Sequence, residues 1–229
     1  MIRTAILLAA GEGSRLRAAS PLKPLCPVGG RPLIDRALFG LAEAGVERAV
    51  VVTGYGADAV EAHLRRPWPL AVEWVRSPDW RLPNGVSALA AAREVDGPAL
   101  LAMCDHLVEP ALYRRVAEAG PGPGLRLGID RRLGHGLVDA ADVTRVATEG
   151  ARIVAIGKGL EPHDAYDTGV FAVGPALFDA LAERPAPSLT DGVRALAAQG
   201  RAEAVDCGDL FWLDVDDPAA LAEAERLCA

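Results

Sequence analysis

The chain has 229 residues, 51% of them hydrophobic, and a formal net charge of −7. Length and apolar content suit one filled domain, and the acidic balance argues against nucleic acid or an anionic membrane surface as the main partner. Four cysteines without paired spacing, no apolar stretch near the length of a membrane span, and an opening apolar run too short for a secretory core together predict a reduced, cytoplasmic protein without a zinc knot or a disulfide framework.

The first predicted element is a buried strand over Ala5 to Ala10. It breaks into the turn Gly11-Glu12-Gly13-Ser14-Arg15-Leu16 and is followed by Pro21-Leu22-Lys23-Pro24-Leu25. Glycines allow close backbone approach, successive N–H groups form a concavity for an anion, and Arg15 and Lys23 add positive charge where phosphate oxygens would lie. The turn therefore reads as a triphosphate-binding loop, against the bland alternative of a strand turn with solvated charges. A dinucleotide fingerprint fails because Leu16 stands at the third glycine position and Pro21 and Pro24 interrupt the helix that should follow. Asp35 falls inside a helical pattern rather than at a strand end, and no G-x-x-x-x-G-K-[ST] run is present.

Apolar residues at Leu33, Ile34, Ala37, Leu38 and Leu41 mark one face of a helix over Arg31 to Ala44. A β-branched strand at Ala49 to Val52, a helix at Ala57 to Arg66 and a strand at Leu70 to Val75 follow. Strand and helix in alternation predict a parallel sheet with helices on its faces, its ligands bound beyond the carboxyl ends of the strands. A polar loop then leads through Asn84-Gly85-Val86-Ser87 into a helix over Ser87 to Arg93. The strand Pro98 to Met103 ends in Cys104-Asp105-His106, which puts a carboxylate at the ligand edge, and a helix follows at Pro110 to Glu118.

The second half is richer in strands: Leu125 to Asp130, Val143 to Thr148, Arg152 to Gly157 and Gly169 to Val173, with a hairpin signal at Glu149-Gly150. Helices are predicted at Pro175 to Ala182 and Leu189 to Ala198, then a strand at Ala202 to Val205, the segment Phe211 to Asp216, and a helix at Pro218 to Leu227. Strand residues two apart share a face, so Asp214 and Asp216 are expected to project together. With Asp105 they supply the carboxylates that Mg²⁺ requires beside phosphate oxygens. Taken alone, Asp105 could equally be a cap or loop residue and the pair a solvated edge. Trp68, Trp74, Trp80 and Trp212 read as packing residues, His63 and His135 have no ligand spacing, and Arg131 and Arg132 read as a solvated loop.

The opening Leu8-Ala9-Ala10-Gly11-Glu12-Gly13-Ser14-Arg15-Leu16 with Lys23-Pro24-Leu25 resembles the signature of nucleotidyltransferases that join a nucleoside triphosphate to a phosphorylated small molecule. Asn84-Gly85-Val86-Ser87-Ala88-Leu89, Cys104-Asp105-His106, Ile156-Gly157-Lys158 and Asp167-Thr168-Gly169-Val170-Phe171 are similar to the cytidylyltransferases acting on myo-inositol 1-phosphate. The resemblance covers nearly the whole chain and implies a single α/β, Rossmann-like domain: a central, mostly parallel mixed sheet flanked by helices, with a small β-rich extension on the acceptor side. Residues 1–110 would form mainly the nucleotide half and residues 111–229 mainly the acceptor half.

The same resemblance implies roles. The loop Leu8 to Ser14, with Arg15 and Lys23, would hold the triphosphate of CTP, with Lys23, Arg15 and Asp105 as the catalytic set. Asn84, Gly85 and Ser87 would face the cytosine, and Asp105 and Asp214, with Asp216, would hold Mg²⁺. Lys158 would meet the acceptor phosphate, and Asp167, Thr168 and Gly169 would line the acceptor pocket. His106 is read as a structural hydrogen bond or an acceptor contact. Cys104 departs from the small residue usual before that aspartate. In much of the family the domain is fused to a membrane-embedded synthase that consumes CDP-inositol; a separate synthase, another fate for the product, and a homodimer all stay open as partner expectations. Other phosphorylated acceptors (a sugar 1-phosphate, phosphocholine or a phosphonate) and a non-catalytic nucleotide-binding module are the alternatives.

Overall fold

The computed structural model describes residues 1–228. Strand β1 (Thr4–Ala9) leads into two 3₁₀ turns, Ser14–Leu16 and Lys23–Leu25, and then a short hairpin of β2 (Pro27–Val28) and β3 (Arg31–Pro32). Next come α1 (Leu33–Glu43), β4 (Arg48–Thr53), α2 (Ala57–Leu64), β5 (Ala71–Arg76) and α3 (Asn84–Ala91). The chain continues through β6 (Ala99–Met103), β7 (His106–Val108), α4 (Pro110–Ala119), β8 (Leu125–Asp130), β9 (Thr144–Glu149), β10 (Arg152–Lys158) and β11 (Ala165–Val173). It finishes with α5 (Pro175–Ala182), α6 (Leu189–Ala198), β12 (Ala202–Asp206), β13 (Trp212–Asp214) and α7 (Pro218–Cys228).

Nine strands form one sheet in the order β5-β4-β1-β6-β11-β8-β12-β10-β9. The first four run parallel, and beyond β6 only the β8–β12 pair is parallel. The expected α/β domain is what the chain forms. Its strand-rich second half continues the same sheet rather than standing apart as an extension, because β11 inserts antiparallel between β6 and β8. Strand β1 shows why its sequence reads as an unbroken apolar run. Ala5, Leu7 and Ala9 face the core under α1, α2 and α4, while Ile6, Leu8 and Ala10 face the core that carries α3, α5 and α6.

Several boundaries differ from the sequence expectation. Pro32, in an extended conformation, caps α1, so that helix starts at Leu33 and the preceding residues pair as a hairpin. Helix α3 begins directly after Pro83, whose fixed φ of −56° delivers the chain into the helix at Asn84. Strand β11 starts four residues before Gly169. Strand β7 was not expected; it pairs with β13 through Trp212↔Val108 and Asp214↔His106. A third, smaller core gathers Leu16, Val28, Leu33, Leu107, Leu213, Val215 and Ala224 and fastens this ribbon beneath the N-terminal loop.

Strand β1 lies between β4 and β6, with Leu8 opposite both Val52 and Met103. The loops after these strands therefore meet at one sheet edge. The Tyr55 N–H donates to Ala10 O at 2.9 Å, and the Cys104 N–H to Leu8 O at 3.1 Å. Within the loop, Gly13 adopts φ +60°, and a Cβ there would collide with the Lys23 side chain. Gly13→Ala should cost about 1–3 kcal/mol through that left-handed conformation alone. Urea unfolding would measure it, and an unchanged midpoint would mean the turn relaxes without strain.

Candidate active site

Two adjoining cavities open at this edge. One, of ≈ 290 Å³, is lined by Leu8, Ala9, Gly11, Gly13, Ser14, Lys23 and their neighbours. The other, of ≈ 270 Å³, is walled by β10, β11, α6 and the β8–β9 connector and holds His106, Lys158, Asp167, Gly169 and Asp214. Arg15, Asp105 and Asp216 border both.

Lys23 is only 6% exposed, and its ammonium sits between two carboxylates. Nζ donates to Asp105 Oδ2 at 2.5 Å and also to Asp216 Oδ1. Burial favours the neutral amine, but Asp105 and the nearby Asp214 outweigh it and hold the Lys23 pKa above its ordinary value. Burial likewise works against an ionised Asp105, and the charges of Lys23 and His106 pull its pKa below the usual range. Arg15 donates to Asp216 as well, and to Asp142 Oδ2 at 2.8 Å.

His106 lines the second of these cavities. Its Nδ1 lies 3.0 Å from Thr168 O, its Nε2 lies 3.5 Å from Asp214 Oδ2, and its ring stacks on Trp212. Burial alone would strip its proton, yet Asp214 and Asp105 raise its pKa to about 9. Gly169, at φ +76°, lets the chain pass over this ring, where a Cβ would strike the imidazole. Asp167, which accepts from the Gly169 N–H at 2.7 Å, is pushed up to about 6 by burial. Asp105, His106 and Asp214 bring ligand atoms within 4.8 Å of one another, a cluster able to hold a metal ion. Asp214 Oδ1 is buried with no hydrogen-bond partner.

Lys23, Arg15, Asp105 and Asp214 thus come together as the sequence suggests, while other expected residues lie elsewhere. β13 ends at Asp214, and Asp216, which borders the same cavity, pairs with Lys23 and Arg15 and lies outside the Asp105–His106–Asp214 cluster. Ser87 is buried and donates to Ser77 Oγ at 3.1 Å, and it lines neither cavity. Gly85 is a packing glycine, because a Cβ there would press on Pro187 O at 2.5 Å. Asn84 borders the second cavity and uses its Oδ1 to accept from the Leu189 N–H. Thr168 is fully buried and donates to Gly128 O at 2.7 Å, so it supports β11 against β8 rather than lining the pocket. Ala10 is buried beneath the loop. Lys158 reaches the second cavity and pairs with Asp142. Arg131 and Arg132 are exposed, as expected, but also ion-paired: Arg132 grips buried Asp130, which also accepts from Trp212 Nε1 at 2.8 Å, and Arg131 pairs with Asp164.

Sequence reasoning gave His106 no certain place and missed Asp142 altogether. The Asp-His pair at a strand end was the visible signal for the former; Asp142 lies in an irregular connector with no periodicity to mark it.

A parallel sheet whose central strand runs into a glycine turn, with a buried lysine and carboxylates at the edge, is the frame of a nucleotide-handling enzyme. Residues 5–138 match the MobA-like NTP transferase domain, and the chain belongs to that family. A bifunctional IPC transferase and DIPP synthase of Rubrobacter xylanophilus is 35% identical over 97% of this chain and 51% of that protein. A CMP-5'-(3-aminopropyl)phosphonate synthase of Streptomyces rubellomurinus is 30% identical over 96% of this chain and 38% of that protein. The chain therefore spans about half of the first relative's length and less of the second's. The solved structure of the inositol-1-phosphate CTP transferase from T. maritima superposes with a TM-score of 0.89 at 25% identity, covering 99% of this chain and 95% of that one. No helix among the described residues is long and apolar enough to cross a membrane.

Two outcomes follow from this geometry. Thr168→Val leaves Gly128 O without its buried donor and should cost about 1–3 kcal/mol in urea unfolding; no loss would make the contact incidental. His106 has a folded pKa raised above the unfolded value near 6.5, so its contribution is full below that value and is lost as pH rises through about 9. In a metal chelator, stability should fall across that window in the native protein and less so in His106→Gln. Parallel pH profiles for the two would refute the assignment.

Proposed function

We propose that the chain transfers a cytidylyl group from CTP to a small phosphorylated polyol, with myo-inositol 1-phosphate as the leading acceptor, giving CDP-inositol and pyrophosphate. The observation that carries this is the buried Lys23, paired with Asp105 and Asp216 where the two cavities join. The acceptor is supported by the relatives above, whose names include IPC transferase and inositol-1-phosphate CTP transferase. The Streptomyces relative favours a phosphonate acceptor as the second reading.

An oxygen of the acceptor phosphate attacks the α-phosphorus of CTP, the bond to the β-phosphate oxygen breaks, and pyrophosphate leaves. The attacking group is already an anion, so no general base is required. The obstacle is repulsion between two polyanions, and fixed positive charge with correct placement removes most of it. In this reading Lys23 lies against the α-phosphate, Arg15 holds the departing pyrophosphate, and backbone N–H groups from Gly11 to Ser14 line the phosphate side. Lys158 meets the acceptor phosphate, and Asp167 with the Gly169 backbone faces its hydroxyls. Residues 1–110 then serve mainly the nucleotide and residues 111–229 mainly the acceptor.

Asp105 and Asp214 would hold a divalent cation, which we take to be Mg²⁺. Their oxygens suit a hard ion, and the unpartnered Asp214 Oδ1 is a donor-seeking position. When bound, the ion neutralises phosphate charge. His106, held protonated, orients Asp214 rather than competing as a ligand. We place the reaction in the cytoplasm, with CTP and the acceptor as partners and a membrane synthase or a second copy of the chain as further candidates.

Pyrophosphate release from each of four nucleoside triphosphates with inositol 1-phosphate, glucose 1-phosphate, phosphocholine and a phosphonate tests the reading directly. CTP with inositol 1-phosphate should lead; binding without release in every combination would favour a regulatory module instead. Lys23→Ala should lose about 10²–10³ in turnover, the scale of removing one transition-state donor. A near-native rate would exclude Lys23 from the chemistry.

A further inference from the structure

Arg15 and Lys158 come from opposite halves of the chain, and one carboxylate joins them. Asp142 Oδ2 accepts from Arg15 at 2.8 Å, and Oδ1 accepts from Lys158 Nζ. Lys158 and Arg15 together hold the Asp142 carboxyl below the usual range. Asp142 belongs to the connector between β8 and β9, which walls the cavity that holds His106 with Leu137, Val138, Asp139 and Val143. The connector is fastened near its β8 end, by Arg132 on Asp130 and by the Gly134 N–H, which donates to Tyr166 OH at 3.1 Å. Asp142 ties its far end to both cations.

We propose that Asp142 couples the two phosphate subsites, acting as a shared counter-ion that either substrate displaces to the benefit of the other. This rests on the assignment of Arg15 to the nucleotide phosphates and Lys158 to the acceptor phosphate. Both pairs are weak enough to exchange: the Arg15, Lys158 and Asp142 side chains are 50%, 62% and 26% exposed, and ion pairs so hydrated contribute little. A phosphate group seated on Arg15 puts negative charge against Asp142. The carboxylate is repelled, withdraws with its connector, and uncovers Lys158. By linkage, an acceptor phosphate on Lys158 frees Arg15 by the same factor. Asp142 is thus a positioning residue that acts through the two cations and touches neither reacting atom.

The test uses inorganic pyrophosphate for the Arg15 side and inorganic phosphate or inositol 1-phosphate for the Lys158 side, pairs that cannot react with each other. In calorimetric titrations of the native protein, each ligand should tighten the other about three- to tenfold, the scale of one or two exposed ion pairs. In Asp142→Asn each ligand alone should bind about threefold tighter, and the mutual effect should fall to about one. Asp142→Glu should keep the coupling. In steady state, Asp142→Asn should lower KM for both substrates while kcat stays within about threefold. Hydrogen exchange of residues 131–143 should quicken on pyrophosphate addition in the native protein, and without ligand in Asp142→Asn. Coupling that survives in Asp142→Asn, or exchange in the connector that neither the ligand nor the substitution alters, would overturn the proposal. Because inorganic phosphate serves as a ligand, the outcome is independent of acceptor identity. Coupling without cytidylyl transfer would sink the proposed reaction and leave this inference standing.

Discussion

The site depends on one buried cation held between two acids. An ammonium as enclosed as that of Lys23 would shed its proton if burial acted alone. Asp105, from the end of β6, pairs with it and together with the nearby Asp214 keeps it charged, and Asp216, just past β13, pairs with it as well. Everything around it serves that arrangement. Gly13 bends aside to admit the lysine stem, β1 lies beside β6 so that Asp105 arrives at the right height, and the β7–β13 ribbon brings in the last acid.

From Lys23 a line of alternating charges runs outward through Asp216, Arg15 and Asp142 to Lys158. Its two ends differ in burial, from a lysine closed off from water to one mostly in it. The inner members are expensive to break apart, because removing one partner strands a charge in low dielectric. The outer members exchange readily. A polyanion entering the edge would meet a firm interior bordered by groups that yield, an arrangement suited to binding two charged substrates in turn.

The parts legible in the sequence were those with a local signature. The apolar run of β1 had to be covered on both faces, and its glycine turn, with Arg15 and Lys23 close behind, pointed to an anion site over a turn with solvated charges. Asp105 followed a run of buried residues and so had to stand at a strand end. What escaped was set by pairing between distant segments. Ser87 and Thr168 looked like pocket residues because their neighbours are; only Ser77 and the Gly128 carbonyl show that their hydroxyls are already engaged. The expectation for Asp214 and Asp216 assumed a strand that continued, whereas β13 stops at Asp214. Asp142 carries no local mark, since its partners lie 127 and 16 residues away.

Lys23 and Asp216 are 193 residues apart. Contacts so remote are among the last to form as a chain organises, since the entropy of closing the intervening loop must be met first. A partly folded molecule that has already enclosed Lys23 in the sheet edge carries a poorly compensated charge until the β13 segment docks. The charged edge around Lys23 is therefore finished only when the β7–β13 ribbon is in place.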